Sequence, residues 1–364
     1  MFDLSKVVRK EVADHPREIL RAYLDDRTSY LMLDKNENLH PMSDEQFEVF
    51  KSTLTPEKIC QYPVLDGLYK KIAKLTGVKE EQVYIGHGSD VVIKSIFDAC
   101  IEKGDHIVLH QPCYFQFENY AKYAGCDYTS VPVDTDWKPD VETMLAAVTD
   151  KTKMMVIEDP SGFVGTRLSH DDMALLARRL YEKNVLLLID EAYLYVLHNT
   201  SENLDLINQY ENVIITHTMS KAHALAGARV GYMLGNAEII DMISRVRPLY
   251  EISALSAWAA EWQLDHPEQL ANFQKTIADC KKYLISEFEQ LDIQYKDSCG
   301  NFVLIKLTNE NDHIVEAMFK ELGILIRRPF VENQLVGWYR ISITGMEESK
   351  QFAEALKIVV SHLA

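Results

Sequence analysis

The chain has 364 residues, a length that suits a large domain joined to a smaller one rather than one simple core. Its 55 acidic against 38 basic side chains leave a formal charge of −17, which excludes a nucleic-acid partner held by clustered Lys and Arg. No apolar run approaches the roughly 20 residues that span a bilayer, and the N-terminal stretch lacks the apolar core and cleavage site of a secretory signal, so a soluble, cytoplasmic protein with no membrane partner is expected.

Strand and helix patterns alternate from about residue 80 to 245. Short apolar runs at Val83–Ile85, His106–His110, Tyr128–Val133, Lys153–Ile157, Val185–Ile189, Val213–Thr216 and Val230–Leu234 read as buried strands. Helical spacing of apolar residues marks Asp90–Ile101, Tyr114–Tyr123 and His170–Glu182 between them. This alternation predicts an α/β fold, a mostly parallel seven-stranded sheet flanked by helices, whose ligands gather at the carboxyl ends of the strands. After about residue 247 a long helix, Pro267–Leu291, precedes strands at Phe302–Leu307, Ile324–Arg327 and Trp338–Ile343 and a last helix at Glu347–Leu363. The expected division is a large domain over 30–246 and a smaller α+β domain from 1–29 and 247–364. Six scattered cysteines form no Cys-x-x-Cys pair and have no His at ligand spacing, so no metal is expected.

Three strand ends carry residues capable of chemistry, and all open onto one face. Gly86-His87-Gly88-Ser89-Asp90 leads into a helix and offers unpaired N–H groups and the positive end of a dipole to a phosphate. Alone it could be a plain strand-to-helix turn. Asp190 follows the buried run VLLLI, where an unpaired carboxylate is costly and calls for a cationic partner, although a helix cap is the simpler reading. Thr218, Ser220, Lys221 and Arg229 bring hydroxyls and cations together within a dozen residues; in isolation they could be a solvated basic edge.

The set GHGSD, DEAY and TMSKAHALAGARVGY, in this order, resembles fold-type I pyridoxal-phosphate aminotransferases, and most the histidinol-phosphate aminotransferase branch. The resemblance covers nearly the whole chain, through LDKNENLHP at 33–41, QYP at 61–63, NFVL at 301–304, GILIRRP at 323–329 and RISITG at 340–345. It implies that Lys221 binds pyridoxal 5′-phosphate as a Schiff base and later moves a proton. It implies that Asp190 pairs with the protonated ring nitrogen, which keeps the ring an electron sink, that Tyr193 donates to the phenolic oxygen, and that Tyr114 stacks on the ring. Gly88, Ser89 and Asp90, with Thr218, Ser220 and Arg229, are implied to hold the phosphate, and Tyr62 to reach the phosphate of a second subunit, hence a homodimer. Asn38, Asn301 and Arg340 are implied for the substrate's amino-acid end, and Arg327 for a distal anion. Tyr114 could instead be core among Phe115, Phe117 and Tyr120, Arg327 and Arg328 could be surface charges, and His87 and His223 are read as packing residues.

Two departures stand out. Where the family writes Asn-Pro-Asn-Asn-Pro-Thr-Gly, this chain has Asp159-Pro160-Ser161-Gly162-Phe163-Val164-Gly165, so the Asn donor to the phenolic oxygen is replaced by Gly162. Unless Ser161 or water substitutes, loss of that donor raises the pKa of the lysine-bound cofactor, since such a bond is worth about 1.5–3 kcal/mol. Glu251 stands in a segment that is usually Tyr-Asn and is expected near the substrate entrance. Amino transfer between an amino donor such as glutamate and a small oxo substrate is the leading expectation. Decarboxylation of a phosphorylated amino acid is the alternative, because motifs do not report which bond lies perpendicular to the ring, and a silent binding protein is a third reading.

Overall fold

The computed structural model describes residues 7–15, 26–40, 42–310, 313–327, 330 and 333–363; Pro41, Arg328 and Pro329 of the motifs above lie outside them. The seven apolar runs form one sheet, ordered β2-β8-β7-β6-β5-β3-β4. Its strands are β2 (Val83–His87), β3 (His106–Gln111), β4 (Asp127–Pro132), β5 (Thr152–Glu158), β6 (Leu186–Asp190), β7 (Val213–Thr218) and β8 (Val230–Gly235). All pairings are parallel except those of β8, which runs antiparallel to β2 and β7.

Side chains alternate across this sheet, which explains why continuous apolar runs are needed. Leu186 and Leu188 enter the core on one face, with Val92, Ile93, Ile96 and Phe97 of helix α1 (Gly88–Cys100) and Phe117 of α2 (Phe115–Ala124). Leu187 and Ile189 enter the other, against Met173, Leu176, Ala177 and Leu180 of α3 (His170–Tyr181). Each such side chain, fully buried, contributes about 1.5–3 kcal/mol. Ser169 starts α3 by accepting the Asp172 N–H, and Gly125, at φ 72°, ends α2.

The C-terminal part holds a three-stranded antiparallel sheet, β12-β10-β9, made of β9 (Gln294–Lys296), β10 (Phe302–Lys306) and β12 (Trp338–Ser342). The long helices α4 (Pro267–Gln290) and α5 (Met346–Leu363) add Ile277, Leu284, Leu356 and Val359 to its core. β1 (Leu31–Leu33) pairs in parallel with β11 (Ile324–Ile326), so residues 31–33 join this part rather than the large sheet. The same core cluster takes in Tyr193, Leu194 and Val196, which follow β6.

Candidate active site

Three neighbouring strands end in register at Glu158, Asp190 and Thr216. Asp190 is buried, and Thr216 Oγ1 donates to its Oδ1 at 2.9 Å. Burial pushes the Asp190 carboxyl up to about 6, against the opposing pull of the Thr216 hydroxyl, the Ala192 amide and Lys221. Lys221 lies just beyond β7; its Nζ donates to the Lys35 carbonyl at 2.8 Å and sits 5.3 Å from the centre of the Tyr193 ring. Asn36 Nδ2 in turn donates to the Tyr193 hydroxyl at 3.1 Å.

Beside this floor is a cradle that only glycine permits. Gly88 has φ +78°, and a Cβ there would stand 2.5 Å from Arg229 Nη2; a Cβ on Gly231 would stand 2.1 Å from the Ser89 nitrogen. Arg229 Nη1 donates to Ser220 Oγ at 3.2 Å and to the Ala226 carbonyl at 3.3 Å, while the Ser220 N–H donates to Thr218 Oγ1 at 3.1 Å. The N-terminus of α1, with Ser89 and Asp90, therefore lies against a guanidinium and two hydroxyls, an arrangement that suits a phosphate. Asp90 Oδ1 is itself held by the Tyr120 hydroxyl at 2.7 Å. Tyr114 precedes α2, its ring edge-on to Phe117 at 6.0 Å and its N–H donated to Glu158.

Arg340 faces the same space from β12. It is buried, and donates Nη1 to the Gly162 carbonyl at 2.5 Å and Nη2 to the Asp34 carbonyl at 2.9 Å, while its buried Nε has no partner. Burial lowers its pKa. Asn301 donates to the Asn36 carbonyl at 3.2 Å and leaves its own buried Oδ1 unpartnered.

The profile of the aminotransferase class I and II family matches residues 28–356. The chain belongs to that family. A histidinol-phosphate aminotransferase of Sulfurisphaera tokodaii is 30% identical over 325 residues, 87% of this chain and 87% of its own. Histidinol-phosphate aminotransferase 2 of Hydrogenovibrio crunogenus is 29% identical over 333 residues, 90% and 88% of the two chains. The histidinol-phosphate aminotransferase of Sinorhizobium meliloti, solved with pyridoxal 5′-phosphate, superposes over 100% of both chains with a TM-score of 0.88 at 23% identity, a likeness of fold. The family fixes the enzyme class, an amino-group transferase, and the cofactor, pyridoxal 5′-phosphate. The decarboxylase and silent-protein alternatives find no support among these relatives.

The residues present fit that cofactor. The glycine cradle beside Arg229 accepts a phosphate, Asp190 offers a buried anion, and Lys221 brings an amine over Tyr193. The aminotransferase's departures are resolved in space. A side chain at Gly162 would place its Cβ 2.7 Å from Tyr193 Cε2, so the tyrosine ring occupies the room an Asn would take. Ser161 is buried and accepts the N–H groups of Phe163 and Val164 at 3.3 Å, which commits it to its own turn. Glu251 is not an open carboxylate: Arg247 pairs with it at 2.9 Å and the Tyr69 hydroxyl at 3.3 Å, in a cleft that shares no lining residue with the strand-end cluster.

Among the substrate-side expectations, Asn38 donates to the Ala222 carbonyl beside Lys221 at 3.0 Å. Arg327 lies over the rings of Phe163 at 4.6 Å and Phe330 at 4.7 Å. Tyr62 stands apart from the cluster, 75% exposed and stacked on Tyr250 at 4.2 Å. His223 is buried against Tyr195, while His87 is exposed. Sequence reading did not single out Glu158, Asn36 or Ser342, whose hydroxyl donates to Asn36 Oδ1 at 2.6 Å.

Proposed function

We propose that Lys221 carries pyridoxal 5′-phosphate and that the enzyme, a cytoplasmic homodimer, moves an amino group between an amino-acid donor such as glutamate and a small oxo substrate with a distal anion, as the names of its histidinol-phosphate relatives suggest. The observation that carries this is the meeting of Lys221, Asp190, Arg229 and Arg340 around one set of strand ends.

Bound there, the cofactor supplies a carbonyl for amines and a conjugated electron sink. Arg229, Ser220, Thr218 and the N–H groups after Gly88 hold its phosphate. The Asp190 carboxylate keeps a proton on the ring nitrogen by charge pairing, and Tyr114 covers a ring face. Tyr193 donates its hydroxyl proton to the phenolic oxygen, and Asn36 fixes where that hydroxyl lies. Lys221, freed as an amine, would take a proton at Nζ from the substrate's α-carbon and return it to the cofactor's carbonyl carbon, two bonds away. Arg340 grips the substrate carboxylate with two parallel N–H bonds, giving up its carbonyl partners, with Asn38 and Asn301 beside it. Arg327, with its guanidinium beside the Phe163 and Phe330 rings, is the cation offered to a phosphate or second carboxylate.

Exposed Tyr62, Val64 and Leu249, at 75%, 79% and 83%, support the dimer, with Tyr62 completing the partner's phosphate site. A cofactor-binding unit over most of 30–246, closed by the unit from 1–29 and 247–364 with the strand 31–33 joined to it, completes the reading.

The test is the visible spectrum of the purified protein with cofactor, followed through addition of L-glutamate and small phosphorylated amino acids. A yellow band that bleaches with one donor and returns with an oxo acid is the expected outcome. A band that never bleaches, with carbon dioxide released instead, refutes amino transfer.

A further inference from the structure

Glu158 closes β5 with its side chain inside the protein, and among the described residues no Lys, Arg or His forms an ion pair with it. Its Oε1 accepts the Tyr114 N–H and its Oε2 the Gly162 N–H at 3.1 Å. The Gly162 carbonyl accepts Arg340 Nη1. One carboxyl group thus joins the backbone of the ring-stacking tyrosine, the turn that lost its Asn, and the substrate-side cation.

Across the β5–β6 pairing, Glu158 stands in register with Asp190. Two anions in one dry pocket repel, and such pairs ionise singly. The charged and titratable neighbours relieve this only in part. His110, from β3, accepts the Glu158 N–H through Nε2 at 3.0 Å, and burial pushes its imidazole down to about 4, so it is neutral. Lys221 acts on Asp190, burial pushes the Tyr114 phenol up so that it is neutral, and Arg340, whose Nη atoms are engaged with carbonyl oxygens, draws Glu158 down against the larger push of burial and Asp190.

We propose that Glu158 is a positioning residue of the amino-transfer site, which ties Tyr114, Gly162 and Arg340 into one frame and keeps a proton so that Asp190 alone is the anion facing the ring nitrogen. A protonated carboxyl can still accept both N–H bonds through its remaining lone pairs. Burial, then Asp190, pushes Glu158 up to about 8, in keeping with this assignment. In this chain a backbone tie from below fixes the turn at 162, which carries no side chain.

The proposal rests on the cofactor reading above, and its test separates the two. The apoprotein of Glu158→Gln, compared with wild type in denaturant unfolding across about pH 5 to 9, needs no cofactor. An acid whose folded pKa is raised stabilises the fold less as pH rises from its unfolded value, ~4.3, through its folded one. Wild type should therefore lose stability over that window relative to the Gln variant, with about one extra proton linked to unfolding. Glu191, buried and pushed up to about 8 in both proteins, cancels in the difference, and Asp190 faces an uncharged side chain in both until Glu158 ionises. The Gln amide can accept only one of the two N–H groups, so cofactor affinity, read by visible titration, should also fall about fivefold, the equivalent of ~1 kcal/mol. Parallel stability curves, or unchanged cofactor affinity, overturn the proposal. Should the variant not fold, the Glu191→Gln apoprotein decides, because Glu191 is the other buried glutamate pushed up to about 8: a protonated-carboxyl infrared band should still bleach there between about pH 6 and 9, and its absence overturns the assignment. A wild type that never gains a visible band with the cofactor refutes the cofactor reading instead.

Discussion

Replacing Gly88 by Ala imposes two separable costs. The first is backbone strain, since Gly88 sits at φ +78°, where an L side chain costs about 1–2 kcal/mol. The second is contact: the new Cβ falls 2.5 Å from Arg229 Nη2, so the guanidinium must leave its bonds to Ser220 and Ala226. Gly77 isolates the first cost, for it has φ +74° with nothing within 4 Å of its Cβ. In denaturant unfolding of the apoprotein Gly77→Ala should lose about 1–2 kcal/mol, and Gly88→Ala that much plus about 0.5–1.5 kcal/mol for each Arg229 bond given up. Only Gly88→Ala should also weaken the cofactor. A misplaced guanidinium forfeits charge-assisted bonds of about 1.5–3 kcal/mol, so affinity by visible titration should fall on the order of 10- to 150-fold. Gly88→Ala binding cofactor as tightly as Gly77→Ala refutes the phosphate cradle.

Lys221→Ala removes one hydrogen bond, to the Lys35 carbonyl, so the protein should unfold within about 1 kcal/mol of wild type while losing turnover and the absorbance of the lysine-bound cofactor; retained turnover contradicts the mechanism. Arg340→Lys exchanges a planar fork for a point charge, and the KM for amino-acid donors should rise roughly tenfold or more with cofactor affinity unchanged, as steady-state kinetics would show. Ser169→Ala removes the cap on α3 and should cost about 1 kcal/mol in thermal unfolding without changing turnover.

Six strands of the large sheet were legible because each is an apolar run buried on both faces, whereas the edge strand β4, largely polar and exposed, shows only as the alternating run that ends in Val131 and Val133. β9 and β1 were not, being three residues each and paired along one side only, so neither leaves a period in the sequence. Lys221, Asp190 and Arg229 were singled out through the motif resemblance, since residue type alone left a helix cap and a basic edge as readings; the fold brings the three to neighbouring strand ends. Asn36 was not, since its value comes from Tyr193 and Ser342, 157 and 306 residues away. Gly162 was recognised as a missing donor, yet only the packing reveals that Tyr193 fills the space. Glu251 looked like a free charge because its partner Arg247, four residues earlier, is neutralising only in the folded geometry.

The pairing of β1 with β11 has a consequence for biosynthesis. Asp34 and Asn36, which follow β1, wait for Arg340 and Ser342, the latter 306 residues further along the chain than Asn36. The large sheet ends with β8, so the floor of the site can assemble while its far wall has yet to be translated. At about 5–20 residues per second, the roughly 100 residues between β8 and β12 occupy the ribosome for on the order of 5–20 s. During that interval the nascent chain holds Lys221 and Arg229 but lacks Arg340, so the cluster at the strand ends is completed only near the end of synthesis.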